Sequence, residues 1–328
     1  MALKKQIRAQ YNGEKLNTLY FGGGTPSVLS PDEFKSLISL FNTDKDTEIT
    51  TEANPDGLTE DYLKGLRTCG INRISLGSQS FDDEILKLIG RRHDAKQITT
   101  AIDLAKKVGF DSISLDLIYG LPTQTIKGFE DDLKKVVSLE IQHVSLYGLK
   151  IEEGCYFSKH TPKQLADLDS QADMYLKAIE ILANNGFKHY ETSNFAKPSF
   201  ESKHNLNYWN NNTYYGFGVS ASGYQDKCRY TNETNLNNYI KNPTAKIFEQ
   251  ELTEQEILEE EIFLGLMKNE GVNVENINKK FSIDFEVKYK KILDKYKETG
   301  HLIKTQNGWA LSTEGILLSN DILSEFID

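Results

Sequence analysis

The sequence predicts an α/β fold, with a parallel β-sheet in its first half, then a mixed α+β stretch and a small helical tail. Three observations lead there. In the first 150 residues, β-rich runs alternate with amphipathic helical runs, the mark of βαβ units joined by right-handed crossovers. Several helical runs end on glycine just ahead of the next strand. Thr68-Cys69-Gly70-Ile71 and Lys107-Val108-Gly109-Phe110 put Gly where a left-handed C-cap is wanted. The composition, 38% hydrophobic and 26% charged over 328 residues, is that of a globular chain with room for one large domain and a smaller one.

Thr18 to Phe21, Glu48 to Glu52, Arg73 to Leu76, Ser112 to Ile118 and His143 to Tyr147 read as buried strands bounded by Gly, Asn or Pro. Between them, Pro31 to Phe41, Glu60 to Cys69, Asp82 to Ile89, Ala95 to Val108 and Ile126 to Leu139 carry apolar residues at helical spacing. The chain opens on a helix-like segment, Ala2 to Gln10, so a parallel strand ahead of residue 1 is expected to be missing. A long helix is expected from Pro162 to Asn185, then irregular strands and loops in the Tyr-, Asn- and Gly-rich stretch Lys188 to Tyr230. The tail, Thr253 to Asp328, is mostly helical and includes a short apolar-polar alternation, Gly308 to Leu311, which suggests a winged-helix-like module. Its own core is expected from Ile257, Leu258, Ile262, Phe263 and Leu266. The expected domains are 1–160, 161–250 and 251–328.

Forty-eight acidic against thirty-eight basic residues leave a net charge of −10, which argues against a general electrostatic grip on nucleic acid or anionic membrane. The amino-terminal residues contain no apolar signal core, and no apolar run approaches the roughly 18 residues of a membrane span. A cytoplasmic protein is expected. Cys69, Cys155 and Cys228 are odd in number and far apart, so they read as isolated thiols rather than a disulfide framework or a local metal knuckle.

In parallel α/β architectures, ligands bind at the carboxyl ends of the strands. The first strand leads into Gly22-Gly23-Gly24-Thr25-Pro26, a loop stripped of side chains. It serves either to lay a ligand against backbone groups or as a tight turn before a helix. The second strand ends at Glu52, followed by Ala53-Asn54-Pro55; the third runs Ser75-Leu76-Gly77-Ser78-Gln79. In the fourth, Asp116 lies between apolar residues, where an unpartnered carboxylate costs several kcal/mol. Its partner is either a structural Arg or a ligand. Arg91-Arg92 is placed to meet either Asp116 or a ligand carboxylate in bidentate fashion.

Phe-Gly-Gly-Gly-Thr-Pro-Ser (21 to 27), Glu-Ala-Asn-Pro (52 to 55), Ser-Leu-Gly-Ser-Gln-Ser-Phe (75 to 81), Gly-Arg-Arg-His (90 to 93) and Asp-Leu-Ile-Tyr-Gly-Leu-Pro (116 to 122) resemble, in order and spacing, the oxygen-independent coproporphyrinogen III oxidase branch of radical S-adenosylmethionine proteins. The resemblance covers most of the chain and implies a partial (βα)6 barrel, here lacking its first strand, that binds S-adenosylmethionine. By carry-over, Gly22, Gly23, Gly24 and Thr25 hold the methionyl amino end with Glu52 nearby, Arg91 pairs with the methionyl carboxylate, and Gln79 and Asp116 sit against the ribose. The family's C-x3-C-x2-C, three ligands of a four-iron four-sulfur cluster, is not found in these residues. It is expected to lie upstream, so the chain as it stands should not bind the cluster.

His204-Asn205-Leu206-Asn207-Tyr208-Trp209, followed by Gly216-Phe217-Gly218, resembles the H-N-x-x-Y-W signature of the haem chaperones within that family. The resemblance implies haem or porphyrin bound at His204 beside Tyr208 and Trp209, and delivery to a haem-acceptor protein. The residue reading leaves open a core histidine bonded to Asn or backbone. Where many relatives carry a second histidine, this chain has Gly218-Val219-Ser220-Ala221-Ser222-Gly223. The leading expectation is a haem chaperone-like protein, inactive in radical chemistry as it stands. The alternatives are coproporphyrinogen III dehydrogenase, an oxidative decarboxylase, and a catalytically dead scaffold. No catalytic residue is singled out.

Overall fold

The computed structural model describes residues 1–162 and 164–327. Lys163, in the helix expected from Pro162, and Asp328, at the end of the expected tail, lie outside the described residues. The chain forms two compact units, one from Thr18–Lys35 and Thr47–Glu201, the other from Met1–Asn17, Ser36–Asp46 and Ser202–Asp328. The first helix, α1 (Ala2–Gln10), begins where the sequence places it and belongs to the second of these.

The first unit is built on strands β1 (Thr18–Phe21), β2 (Glu48–Ala53), β3 (Arg73–Gln79), β4 (Ser112–Tyr119) and β5 (His143–Gly148), all parallel and in sequence order. The intervening helices are α2 (Pro31–Ile38), α3 (Glu60–Thr68), α4 (Asp83–Leu88), α5 (Ala95–Lys107) and α6 (Ile126–Ser138). Most begin at a residue that takes an orphan backbone N–H: Thr59 accepts from Tyr62, Asp82 from Glu84 and Ile85, Asp94 forms a capping box with Gln97, and Thr125 accepts from Gly128. Their inward stripes close over the strands, so Leu63, Leu66, Ile98, Ile102, Phe129 and Leu133 are fully buried with Ile74, Leu76 and Leu115.

After the short helix α7 (Tyr156–Lys159), α8 (Leu168–Asn184) carries the chain back to β6 (Lys188–Glu191), which hairpins into β7 (Asn194–Ala196). The expected start at Pro162 is therefore early by several residues, because Asp167 caps the helix by accepting from the Ser170 N–H at 2.8 Å. The β7 strand fits antiparallel between β5 and β6, completing a seven-stranded sheet. Thus β6 runs parallel to β5 and serves as the last parallel strand.

In the second unit, α9 (Lys203–Trp209) precedes an antiparallel sheet of β8 (Ser222–Gln225), β9 (Cys228–Asn232) and, after α10 (Leu236–Lys241), β10 (Lys246–Glu251). Arg229 on β9 grips Glu260 of α11 (Glu254–Leu266) with two bonds, 2.5 and 2.6 Å long. Beyond α11, β11 (Val272–Asn273), α12 (Val274–Phe281), α13 (Phe285–Lys288), α14 (Lys290–Glu298), β12 (Leu302–Lys304) and β13 (Gly308–Leu311) form a helical module with a three-stranded sheet. One core of Leu258, Ile262, Leu266, Leu293, Trp309 and their neighbours fills it. Three expectations need correction. Phe263 is 38% exposed, since it falls off the buried stripe of α11. The four residues of β13 are all buried rather than alternating, because β13 is the central strand of its sheet. Ile257 packs with Tyr224 and Leu252 instead of the tail core. Among the described residues, no helix is long and apolar enough to cross a membrane.

Candidate functional site

The carboxyl ends of β1 to β4 bring most of the sequence-predicted residues to one edge. Gly22 lies against its neighbours: a Cβ there would stand 2.6 Å from the Tyr20 ring and 2.9 Å from Glu52 Oε1. Gly23 has φ +110°, a conformation that favours glycine, and a Cβ added at Gly23 or Gly24 would meet nothing within 4 Å. The loop thus presents open space over bare backbone. Glu52 is fixed beneath it, accepting from Tyr20 Oη at 2.8 Å and from the Gly23 N–H at 3.2 Å. Thr25 is exposed and caps the 3-10 turn Pro26–Val28 through its carbonyl, which accepts from the Val28 N–H.

At the mouth of β3, Gln79 is 7% exposed and has φ +68°. Left-handed backbone in a non-glycine residue is strained, and such strain gathers at functional sites. The β3–β4 pairing shifts register between Gly77 and Gln79, so the chain bulges there. A Cβ on Gly77 would lie 3.1 Å from Gln79 Nε2, 3.7 Å from Asn54 Oδ1 and 3.9 Å from Arg91 Nη1. These three side chains therefore converge on the same backbone. Arg91 Nη1 donates to Asn54 Oδ1 at 3.3 Å.

Asp116 accepts from Ser75 Oγ at 3.0 Å and is also bonded to Ser145. Its direct partners are hydroxyls of the flanking strands, so of the two alternatives the structural arginine is not met: Arg91 and Arg73 act on it only through their charge. Burial pushes the Asp116 carboxyl up to about 6, opposed by the two serines and aided by the negative charge of Glu52. Arg91 is lowered by burial, with Asp116 and Asp56 opposing the shift. Two carboxylates, one guanidinium and exposed backbone thus share one edge. That donor set fits a zwitterionic amino-acid head joined to a diol-bearing sugar. Sequence reasoning assigned no role to Tyr20 or Asn54. Tyr20 was legible by strand alternation with Gly22, and Asn54 stood within a quoted motif.

The motif at 204–209 forms α9, capped by Ser202, which accepts from the Asn205 N–H. His204 Nε2 is 2.9 Å from Tyr208 Oη, and the two rings meet edge to face at 4.9 Å. Burial lowers the His204 imidazole to about 4, so it is neutral at physiological pH. Residues four apart share a helix face, whereas residues five apart diverge by about 140°. His204 and Tyr208 accordingly pair, while Trp209 lines a separate polar cleft of about 490 Å³ with Asn212, Lys268 and Asn276. The expected trio is a pair plus an outlier.

The three thiols stand apart. Cys69 closes α3 with its Sγ donating to the Pro31 carbonyl, Cys155 is exposed ahead of α7, and Cys228 lies in β9 of the other unit. Among the described residues, no three His, Cys, Asp or Glu side chains are grouped to hold a metal. The residues present do not fit a four-iron four-sulfur cluster.

Comparison with known proteins places this geometry. The model of the radical SAM superfamily matches residues 2–136, and that of the HemN C-terminal domain matches residues 252–318. The solved coproporphyrinogen III oxidase (HemN) of Escherichia coli, a radical SAM enzyme, is similar with a TM-score of 0.87 and 25% identity, covering 99% of this chain and 82% of its own. The fold is that of a radical SAM protein. The heme chaperone HemW of Lactococcus lactis subsp. lactis (strain IL1403) is 41% identical over 96% of this chain and 85% of its own length. That of Bacillus subtilis (strain 168) is 36% identical over 95% and 86%. The chain belongs to the family of these heme chaperones within the radical SAM superfamily.

Proposed function

We propose that the chain binds S-adenosylmethionine at the strand mouths of its sheet, binds haem or porphyrin through His204, and hands haem to an acceptor protein. The neutral, half-buried imidazole on α9 carries this reading, because iron takes a neutral imidazole and burial keeps this one neutral. At the sheet edge, the Gly22–Thr25 loop and Glu52 take the methionyl amino group, Arg91 takes its carboxylate, and Gln79 and Asp116 take the ribose hydroxyls. S-adenosylmethionine, once bound, supplies a sulfonium cation, and the facing carboxylates of Glu52 and Asp116 favour positive charge there.

The likeness to heme chaperones at 41% and 36% identity supports binding and delivery over turnover. The net charge of −10 favours a protein acceptor over nucleic acid. The test is transfer. Haem-loaded chain is mixed with an excess of an apo-globin whose Soret band differs, and the spectrum is followed in time. Movement of the band to the globin position is expected at a rate above that of free haem in buffer. Retention of haem by the chain, or transfer no faster than from buffer, contradicts delivery.

A further inference from the structure

Two buried residues outside the contacts described so far grip the chain on either side of Gln79. On one side, His93 is 4% exposed and its Nε2 lies 3.2 Å from the Ser78 carbonyl, to which it donates. On the other, Asp132 of α6 is 5% exposed and accepts from Ser80 Oγ at 2.7 Å and from the Phe81 N–H at 2.9 Å. Ser80 Oγ in turn accepts from the Asp82 N–H, and the Ser80 N–H donates to the Ser78 carbonyl. Gln79, in its left-handed conformation, is the one link of this short run between the two anchors.

The anchors also reach further. Asp132 is bonded to the Gln124 side chain, which accepts from the Leu121 N–H and donates to the Ile118 carbonyl. One carboxylate thereby joins the loop after β3 to the loop after β4, the strand that carries Asp116. His93 follows Arg91 by two residues, so its bond to Ser78 ties the arginine's loop to the glutamine's. A buried carboxylate costs free energy, and here burial raises Asp132 to about 6. The hydrogen bonds that Asp132 accepts from Ser80, Phe81 and Gln124 offset part of that cost. A strained Gln79 needs fixed anchors, because left-handed backbone persists only when its surroundings over-determine it.

We propose that Asp132 and His93 are positioning residues that preset Gln79 in its left-handed conformation, in register with Arg91 and Asp116, for an adenosine-bearing ligand. Neither touches the ligand. This rests on the reading of the sheet edge as an S-adenosylmethionine site. The consequence is selective: the adenosine half of the ligand depends on the whole clamp, whereas the methionyl amino group, held by Glu52 and the glycine loop, does not, and the methionyl carboxylate depends on it only through His93, whose loop carries Arg91.

The test compares the parent chain with Asp132→Ala, His93→Ala and His93→Gln by equilibrium dialysis against S-adenosylmethionine, adenosine and methionine. Asp132→Ala and His93→Ala should weaken S-adenosylmethionine and adenosine about tenfold, the scale set by losing a buried hydrogen bond, and Asp132→Ala should leave methionine within about twofold. His93→Gln should recover most of the loss, since an amide N–H still donates to the Ser78 carbonyl. Unchanged adenosine affinity in both alanine variants, with thermal unfolding showing them folded, overturns the proposal, as does an equal loss for methionine in Asp132→Ala. Amide hydrogen exchange on the ligand-free proteins reads the clamp separately. Faster exchange confined to Ser78 through Asp82 is expected in Asp132→Ala, and exchange equal to the parent overturns the clamp. If the parent binds no S-adenosylmethionine, the reading of the site fails while this exchange measurement still decides the clamp.

Discussion

Asp116, at the proposed ligand edge, carries a cost to the fold. Its carboxyl is raised to about 6 from an ordinary 3.8, so the folded chain holds a proton that the unfolded chain has lost between those two values. Stability attributable to this group therefore falls as pH rises from about 4 to about 6, and the penalty is complete above that, up to about 3 kcal/mol. Asp116→Asn should accordingly gain stability over the parent at pH 7.5 but not at pH 4.5, as read by urea unfolding, while S-adenosylmethionine binding weakens. A stability difference independent of pH would show that the carboxyl is not strained by burial. The carboxylate at a strand mouth was legible from sequence, because an acid among apolar neighbours demands an explanation. The hydroxyls that hold it were not, since Ser75 and Ser145 lie on different strands and meet Asp116 only through the sheet register. The same limit hid Asp132, which the sequence shows only as one more acid in a helix.

Two helices show what periodicity can and cannot say. On α11 the apolar run Ile262-Phe263 looks uniform, yet only Ile262 faces the core. Ile262→Ala should cost about 2–5 kcal/mol and Phe263→Ala about 1 kcal/mol or less, a contrast that chemical denaturation resolves. On α9 the quoted motif has the right residues, but helical geometry separates Trp209 from the His204–Tyr208 pair. Haem absorbance should therefore survive Trp209→Ala largely unchanged. Because His204 is lowered to about 4, it stays neutral where an ordinary imidazole, near 6.5, has taken up a proton. Haem affinity at pH 5.5 should match that at pH 7.5; a decline with a midpoint near 6.5 would mean that the ligand is a solvated histidine. The elements themselves were largely visible, from glycine stops and Asp or Thr caps. The β6–β7 hairpin was not, since an antiparallel strand inserted beside β5 is set by long-range pairing.

At the scale of the molecule, the proposed S-adenosylmethionine edge lies in one unit and the proposed haem histidine in the other. Its cysteines serve neither site. Residues 1–328, reconstituted anaerobically with iron and sulfide, should take up far less than one cluster per chain; stoichiometric uptake would mean that the scattered thiols are gathered after all. Alternating strands and helices made the sheet legible, and five ordered motifs made the family legible. The interleaving of chain segments between the two units was not legible, because no local signal marks which unit Met1–Asn17 or Ser36–Asp46 joins. The most direct measurement is a haem titration followed by Soret absorbance on the parent chain and on His204→Ala, with thermal unfolding to establish that both are folded. The account predicts saturable binding in the parent that is weakened at least tenfold in the variant. Equal affinity in the two would contradict it and return His204 to the role of a structural histidine.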